Sequence, residues 1–269
     1  TLAGFLAIVD RLMREHAGDG LKPGLRCVYV SPLRSLGYDV EKNLAVPLRG
    51  LQRLLGLGKC PIRVGVRTGD TTAHERRKLR EGPPHILITT PESLSLLLSQ
   101  SGWAEHWGGV DHLVVDEVHA LAATKRGADL AISLERLADA AGGDPARVGL
   151  SATGRPPEPV ARFLVGSSRS WRVVEAPRPA GSHAIEIEVE SLLRPGEGPH
   201  RGLTYNRLMR RVRRAVVDNR TTVVFANSRP MTEKIAHDLR NAPPGRGEDR
   251  DAFDGQAEVA VHHSALDAS

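Results

Sequence analysis

The stretch His112–Leu121 reads HLVVDEVHAL and joins an apolar run directly to two carboxylates and a histidine. The apolar residues 113–115 predict a buried strand. Asp116 and Glu117 follow this strand without a spacer. Burying two adjacent carboxylates without partners costs several kcal/mol. The sequence therefore raises the question of what lies opposite them at the end of the strand.

Short apolar runs alternate with helical patterns through the first two-thirds of the chain. The predicted strands are RCVYV (26–30), IRVGVRTG (62–69, with a loop), HILITT (85–90), HLVVDE (112–117) and RVGLSAT (147–153). The predicted helices are TLAGFLAIVDRLM (1–13), SPLRSLGYDVEKNL (31–44), PESLSLLLS (91–99) and GADLAISLERLADAA (127–141). This alternation predicts an α/β fold in which helices flank a parallel sheet.

The same alternation restarts after a stretch rich in proline and glycine. The predicted elements are the strand AIEIEVESLL (184–193), the helix RLMRRVRRAVVDN (207–219), the strand TTVVFANS (221–228), the helix PMTEKIAHDLRN (230–241) and the strand EVAVHHS (258–264). We therefore predict one nearly complete domain at 1–178, a linker with a crossing strand at 179–200, and part of a second, similar domain at 201–269.

Composition limits the classes of protein to which the chain can belong. The net charge is +5 and the pI is about 9.5, so the chain is mildly basic. Its two cysteines have no metal-binding spacing, and no apolar run reaches the ~20 residues that span a bilayer. We expect a cytoplasmic protein without a membrane partner.

Two predicted helices begin with the same pattern at the ends of strands. Ser31 and Thr90 are predicted N-caps, and Pro32 and Pro91 follow in the first helical turn. Capping alone would explain either pattern. Two helix N-termini at one sheet edge also present free N–H groups that can bind the phosphates of a polyanion.

The carboxylates at the end of the predicted strand 112–117 suit metal-dependent chemistry. Asp116 at that edge can hold Mg²⁺ directly or through water. Glu117 can orient and deprotonate the water that attacks a nucleotide phosphate. The alternative for an isolated Asp-Glu pair is a salt-bridged strand end, but LSAT after the next strand favours the chemical interpretation.

DEVH followed by LSAT resembles motifs II and III of superfamily 2 helicases. The longer stretches that resemble the large helicase-related (Lhr) family are VSPLRSLGYDVEKNL, VRTGDTTAHERRKLREGPPHILITTPESLSLLL, VDEVHALAATKRGADLAISLERL, GLSATGRPPEPVARFLVG, TTVVFANSRPMTEKIAHDLR and VAVHHSALD. This resemblance implies RecA-like P-loop NTPase domains and a DNA helicase that uses ATP and Mg²⁺ to move 3′ to 5′. It also implies a role in DNA repair, a single-stranded DNA partner with an RNA–DNA hybrid as a further candidate, and no small-molecule substrate beyond ATP.

The resemblance assigns a role to each matching residue. Asp116 would bind Mg²⁺ together with Thr1, Glu117 would activate water, and His119 would link the ATP site to the other domain. Ser151 and Thr153 would couple hydrolysis to strand movement. The residues that would contact nucleic acid are Pro32, Arg34, Thr68, Gly69, Asp70, Thr90, Pro91, Ser228 and Arg229.

The sequence also departs from the family pattern. Thr1 would be the last residue of a Gly-Lys-Thr phosphate loop, and no other GxxxxGK[ST] occurs in the sequence. The later motifs, with the arginine finger, are also missing. We expect a fragment, or alternatively a natural truncated paralogue, that hydrolyses ATP poorly by itself.

The sequence is also compatible with two other functions. One is an RNA-directed relative of the Ski2-like or DEAD-box type, and another is a non-catalytic nucleic-acid-binding module. The cationic stretches ERRKLR (75–80) and RLMRRVRR (207–214) are candidates for nucleic-acid contact, or they are solvated helix faces.

Overall fold

The computed structural model of the chain describes residues 2–152, 156–175, 186–193, 201–241 and 259–261. Two predicted site residues, Thr1 and Thr153, lie outside these ranges. The chain divides into two compact units, Thr1–Ala176 and Pro177–Ser269. The predicted linker at 179–200 stays a prediction.

Five short parallel strands form the sheet of the first unit. They are β1 (Cys27–Val30), β2 (Val64–Arg67), β3 (Ile86–Thr89), β4 (His112–Val115) and β5 (Ala146–Gly149). Their order in the sheet is β2-β3-β1-β4-β5, and every neighbouring pair is parallel. Four of the strands lie within strands predicted from the sequence, and β5 overlaps the predicted strand 147–153 but begins one residue earlier, at Ala146. The α/β fold with a parallel sheet is confirmed.

The strands are apolar because the sheet is covered on both faces. All four residues of β1 are fully buried. Successive side chains of a strand point to opposite faces. Val28 and Val30 therefore join one apolar cluster, whereas Cys27 and Tyr29 join the other. A strand buried on both faces needs a continuous apolar run rather than an alternating one.

Helices supply the layers on either side of the sheet. The first unit contains α1 (Leu2–Ala17), α2 (Arg34–Leu54), α3 (Ala73–Glu81), α4 (Pro91–Leu98), a 3₁₀ helix (Ser101–Gly109), α5 (Val118–Ala122), α6 (Lys125–Ala141) and α7 (Pro157–Val165). The second unit contains α8 (Arg201–Asp218) and α9 (Arg229–Asn241). None of the helices in the described residues is both long and apolar enough to cross a bilayer.

The carboxyl ends of the central strands lie level with one another. Val30 of β1 pairs with Thr89 of β3 on one side and with Val115 of β4 on the other. Val115 also pairs with Gly149 of β5. The segments that follow these strands therefore leave the sheet along one edge.

One of the two predicted helix starts is wrong. The helix after β1 begins at Arg34, so Ser31 is not its N-cap and Pro32 precedes it. The Ser31 N–H instead donates to Thr89 O at 2.8 Å, which continues the ladder of the sheet, and its hydroxyl donates to Leu33 O. A residue before proline is also disfavoured in helical geometry.

The other predicted start is confirmed in position. Thr90 occupies the N-cap of α4 and Pro91 is its first residue. The Thr90 hydroxyl, however, donates to Ser93 Oγ at 3.2 Å and does not accept a backbone N–H.

The second unit is built around the pair α8 and α9. The Tyr205 hydroxyl of α8 donates to Asp238 Oδ2 of α9 at 2.6 Å. Lys234 Nζ lies 3.9 Å from the centre of the Tyr205 ring, within the range of a cation–π contact. Ile235 and Leu239 of α9 are buried.

The strands predicted in the second unit are wrong where the structure describes them. Residues 186–190, 221–226 and 259–261 are extended or irregular and join no sheet among the described residues. Val189 and Phe225 are 94% and 93% exposed. Apolar patterning identifies residues that can form a strand, but cross-strand hydrogen bonds and side-chain pairs stabilise it.

The two cysteines differ in their surroundings. Cys27 lies fully buried in β1, and this burial raises the pKa of its thiol far above its usual value. Cys60 lies half-buried in the loop before β2, where its Sγ contacts Ile62 O at 3.6 Å. Both thiols are free.

Candidate active site

Asp116 lies at the carboxyl end of β4 and is only 5% exposed. The Tyr29 hydroxyl donates to its Oδ2, and the Glu117 N–H donates to its Oδ1 at 3.0 Å. Tyr29 in turn stacks on Phe5 of α1, with ring centroids 4.9 Å apart. Hydrogen bonds to both oxygens offset the cost of burying a carboxylate. Tyr29 is therefore the group that lies opposite Asp116.

Glu117 has an uncommon backbone conformation. Its φ of 45° and ψ of 41° lie in the left-handed region, where no other non-glycine residue of the described chain is found. This conformation costs on the order of 1 kcal/mol for a residue with a side chain. It ends β4 abruptly and begins α5 at Val118. Strained residues of this kind cluster at functional sites, so the conformation supports Glu117 as a site residue.

His119 links the end of β4 to the segment after β5. Its Nδ1 lies 2.8 Å from Ser151 Oγ and 3.5 Å from Glu117 Oε2. The backbone joins the same two segments, because the Val118 N–H donates to Leu150 O at 3.0 Å. The structure thus brings together four of the predicted residues, which are Asp116, Glu117, His119 and Ser151.

The described residues fit a magnesium ion that is shared with a phosphate. They contain no group of three or more His, Cys, Asp or Glu side chains that could hold a metal alone. Mg²⁺ is commonly held by one or two carboxylates together with waters and substrate phosphates. Asp116, with the half-exposed Glu117 beside it, provides a donor set of that kind at the sheet edge.

Arg34 and Asp70 form a second group at the same edge. Arg34 Nη1 donates to Asp70 Oδ1 at 2.6 Å, although both side chains are more than half exposed. A Cβ on Gly69 would lie 2.9 Å from the Arg34 guanidinium, so a side chain there would displace it. Thr68 is buried, and its N–H donates to Thr71 Oγ1 at 2.9 Å. The predicted contact residues at the start of α2 and after β2 therefore lie together.

Thr90 and Pro91 begin the next segment along this edge. Both residues are buried, so in the first turn of α4 it is the charged side chain of Glu92 that solvent reaches. Pro32, also buried, lies on the segment after β1, the strand that pairs with β3. These predicted residues shape the backbone of the edge rather than extend polar side chains from it.

Comparisons with known proteins decide the family. The sequence profile of the DEAD/DEAH box helicases matches residues 1–161, more than half of the chain. The chain belongs to the DEAD/DEAH box helicase family. The predicted superfamily is therefore confirmed, with the carboxylates of DEVH inside the matched range.

The Lhr resemblance extends along almost the whole chain. The ATP-dependent helicase Lhr-Core of Methanothermobacter thermautotrophicus is 38% identical over 99% of this chain. The Lhr helicase/uracil glycosylase of Escherichia coli is 42% identical over 87% of it. The predicted likeness to Lhr is confirmed. The chain spans 30% of the archaeal relative and 16% of the bacterial one.

A solved helicase has the same fold. The structure of Mycobacterium smegmatis helicase Lhr bound to ssDNA and AMP-PNP matches 89% of this chain at 40% identity, with a TM-score of 0.71. The match covers 30% of that helicase. The RecA-like helicase fold implied by the sequence motifs is confirmed.

Ser228 and Arg229 belong to the second unit and form a separate group. Ser228 precedes α9, and its hydroxyl accepts a weak hydrogen bond from the Met231 N–H at 3.4 Å. Arg229 is the first residue of α9. Their predicted contact with nucleic acid stays a prediction.

Both cationic stretches have acidic or backbone partners within their own units. In α3, Arg76 donates to Thr71 O and to Gly69 O, each at 2.7 Å, and Arg77 pairs with Glu81.

In α8, Arg211 pairs with Glu188 and Glu190, and Arg214 pairs with Asp218 at 3.4 Å. These contacts favour solvated, internally paired faces over dedicated nucleic-acid surfaces.

Sequence reasoning missed two residues of the site, Tyr29 and Arg126. Tyr29 is one of very few aromatic residues in a chain that is only 4% aromatic, and its position inside an apolar strand is a usable signal. Arg126 contacts two segments of the predicted nucleic-acid edge, through Glu92 of α4 and the Pro32 carbonyl after β1. Its place in the stretch TKRG gives no local sign of these contacts.

Proposed function

We propose that this chain is part of the motor of an ATP-dependent helicase of the Lhr type. The motor would couple ATP hydrolysis to 3′-to-5′ movement along single-stranded DNA and would act in DNA repair. The observation that supports this best is the arrangement at one sheet edge, where the buried carboxylate Asp116 and the strained Glu117 lie next to the His119–Ser151 contact.

Each proposed site residue has a distinct task. Asp116 and Thr1 would hold Mg²⁺, which when bound would neutralise charge on the ATP phosphates. Glu117 accepts a proton from the attacking water, because its half-exposed carboxylate can reach solvent. His119 transmits the state of that carboxylate to Ser151, and Thr153 belongs to the same coupling segment.

The nucleic acid would lie along the edge formed by the segments after β1, β2 and β3. The proposed contacts are Pro32, Arg34, Thr68, Gly69, Asp70, Thr90 and Pro91, with Ser228 and Arg229 in the other unit. Single-stranded DNA is the proposed partner because the similar M. smegmatis Lhr was solved bound to ssDNA. An RNA–DNA hybrid is a further candidate, and the cytoplasm is the proposed location.

Mg²⁺-dependent ATP hydrolysis, with and without single-stranded DNA, tests the proposal. The 269-residue chain is compared with a longer version that supplies a Gly-Lys phosphate loop before Thr1 and the later helicase motifs. We expect DNA-stimulated turnover by the longer protein and little or none by the chain itself, because the phosphate-loop lysine and the arginine finger contribute strongly to phosphoryl transfer.

Glu117→Gln in the longer protein provides the matched control. Losing a general base typically lowers a rate by about 10²–10⁴-fold. A Gln variant with undiminished turnover would remove Glu117 from its role. If neither protein turns over but both bind DNA, the chain is a binding module. Preferential stimulation by RNA would instead favour an RNA-directed helicase.

A further inference from the structure

Arg126 joins the two segments that border the proposed nucleic-acid path. It is the second residue of α6, and its Nη2 donates to Pro32 O at 2.8 Å. Its Nε donates to Glu92 Oε1 at 2.5 Å, in the first turn of α4. One planar guanidinium thus holds the backbone before α2 and the start of α4 in a fixed relation.

The start of α6 is also fixed to the carboxylate end of β4. The Thr124 hydroxyl donates to Leu121 O of α5 at 2.8 Å and accepts the Gly127 N–H at 3.1 Å. A Cβ on Gly127 would lie only 2.0 Å from Leu121 O, so the two helices meet through bare backbone. Because α5 begins directly after Glu117, the backbone connection from Glu117 through α5 to Arg126 is short and closely packed.

We propose that Arg126 is a positioning residue that couples the Glu117 end of β4 to the nucleic-acid edge. The proposal rests on the proposed function of that edge. A movement at Glu117 passes through α5 and the Thr124–Gly127 contact to the Arg126 guanidinium. Arg126 then shifts the Pro32 carbonyl and Glu92 together, and with them the two segments proposed to grip the strand.

The surroundings of Arg126 argue against a direct phosphate contact. Its guanidinium already donates to a carboxylate and to a backbone carbonyl. The Glu92 carboxylate beside it would repel a phosphate that approached the same group. Removing Arg126 should therefore make the backbone before α2 and the start of α4 less fixed relative to each other, without removing a contact to phosphate.

Binding of fluorescein-labelled oligo(dT) to the 269-residue chain, followed by anisotropy over a range of NaCl concentrations, tests this role. We expect Arg126→Ala to weaken binding about threefold to tenfold, the equivalent of losing one or two hydrogen bonds. The slope of log affinity against log salt should stay at the wild-type value. A directly bound phosphate would instead make that slope shallower by about 0.7.

Arg136→Ala is the matched control, because it removes the same charge from the same helix. Arg136 contacts only the Ser99 hydroxyl among the described hydrogen bonds, at 3.2 Å, so wild-type binding is expected. If Arg126→Ala does not fold, as judged by circular dichroism, Glu92→Gln takes its place. That change weakens one end of the bridge and should weaken binding about twofold or more.

A second measurement separates coupling from simple support of the fold. In the longer protein with the phosphate loop, DNA stimulation of ATP hydrolysis is measured at saturating oligo(dT). Arg126→Ala should reduce the stimulation factor at least about fivefold, within the usual range of coupling energies, whereas Arg136→Ala should retain it. Unchanged affinity, a shallower salt slope or full stimulation by Arg126→Ala would each overturn the proposal. Failure of the wild-type chain to bind DNA would instead refute the proposed function.

Discussion

Each unit of the molecule contains a tyrosine that donates to an aspartate, but the two pairs have different surroundings. Tyr29 and Asp116 lie at the centre of a five-stranded sheet, where both residues are buried. Tyr205 and Asp238 join two helices, and both of them remain partly accessible to solvent. The same chemical pair therefore stands in a dry interior in one unit and at a wet helix interface in the other.

The difference shows that the burial of a tyrosine–aspartate hydrogen bond decides how much it contributes to the free energy of unfolding. Loss of the Tyr29 hydroxyl would leave a buried carboxylate oxygen with one fewer partner, which costs the full penalty of desolvation. Loss of the Tyr205 hydroxyl lets water replace it. The sheet unit can thus hold the Asp116 carboxylate in one orientation, whereas the described part of the second unit depends on a thinner core.

Hydrogen exchange should give the largest contrast between the units. Amides of β1, β3 and β4 are expected to exchange at least about 1,000-fold more slowly than those of residues 221–226, because the former open only with the core. Mass spectrometry of peptic peptides measures this ratio. Comparable rates in the two regions would show that the sheet unit has no special stability.

Gly127→Ala should be the most destabilising small change in the sheet unit. The added Cβ would lie 2.0 Å from Leu121 O, so the start of α6 must move away from α5. We expect a loss of about 3 kcal/mol in the free energy of unfolding. Urea denaturation followed by circular dichroism measures it.

Gly50→Ala in α2 is the matched control for that change. Apart from the neighbouring backbone of α2 itself, no atom lies within 4 Å of a Cβ built there, so alanine should stabilise the helix by up to about 1 kcal/mol. Equal effects of the two alanines would contradict the close approach of α5 and α6.

Tyr29→Phe should cost less than the glycine change but more than the equivalent change in the other unit. Phenylalanine keeps the stack on Phe5 and removes only the hydroxyl that Asp116 accepts. We expect a loss of about 2 kcal/mol. Urea titration measures it, and a loss below about 0.5 kcal/mol would mean that water replaces the hydroxyl easily.

Glu135 tests the electrostatics at the edge of the sheet unit. Hydrogen bonds from Arg169 and Arg147 lower the pKa of Glu135 to about 2. Glu135→Gln should lower the stability by about 1 kcal/mol at neutral pH, a value reduced by solvent screening because the carboxylate is half exposed.

The pH dependence of the Glu135 effect has a definite sign. A depressed folded-state pKa gives stability that is present above the unfolded value of 4.5 and is lost as pH falls through about 2. The gap between wild type and Glu135→Gln should therefore close across that window. Glu158→Gln, which breaks an exposed pair with Arg162, should change stability by less than about 0.5 kcal/mol at any pH.

Tyr205→Phe should have a smaller effect than Tyr29→Phe or Glu135→Gln. The phenyl ring keeps its contact with Lys234, and water can take the place of the lost hydroxyl on Asp238. We expect a change of about 0.5 kcal/mol, visible as slightly faster exchange of α8 and α9 amides. A change as large as that of Tyr29→Phe would remove the proposed contrast between the two pairs.

The sequence predicts the sheet unit well because its strands are buried on both faces. The runs CVYV (27–30) and ILIT (86–89) have no polar interruption before their last residue, and both form central strands. The run VVF (223–225) is also apolar but joins no strand in the described residues. The local apolar pattern indicates that a segment is able to form a strand, whereas strand pairing depends on a partner segment elsewhere in the chain.

The candidate site is predictable to the extent that its residues adjoin strand ends. Asp116, Glu117, His119 and Ser151 come together because β4 and β5 are parallel neighbours. Tyr29 contacts a carboxylate 87 positions away, and Arg126 contacts a carbonyl 94 positions away. No local rule of periodicity or capping links residues so distant, so both contacts needed the three-dimensional structure.

The unequal cysteines make the molecule ready for fluorescent labelling. A maleimide dye reacts with the thiolate, so the buried Cys27 with its raised pKa should stay unmodified while the more accessible Cys60 accepts one dye. One engineered cysteine in the second unit would then complete a donor–acceptor pair without any deletion from the core. Single-molecule energy transfer could follow the distance between the two units as nucleotide and DNA are added.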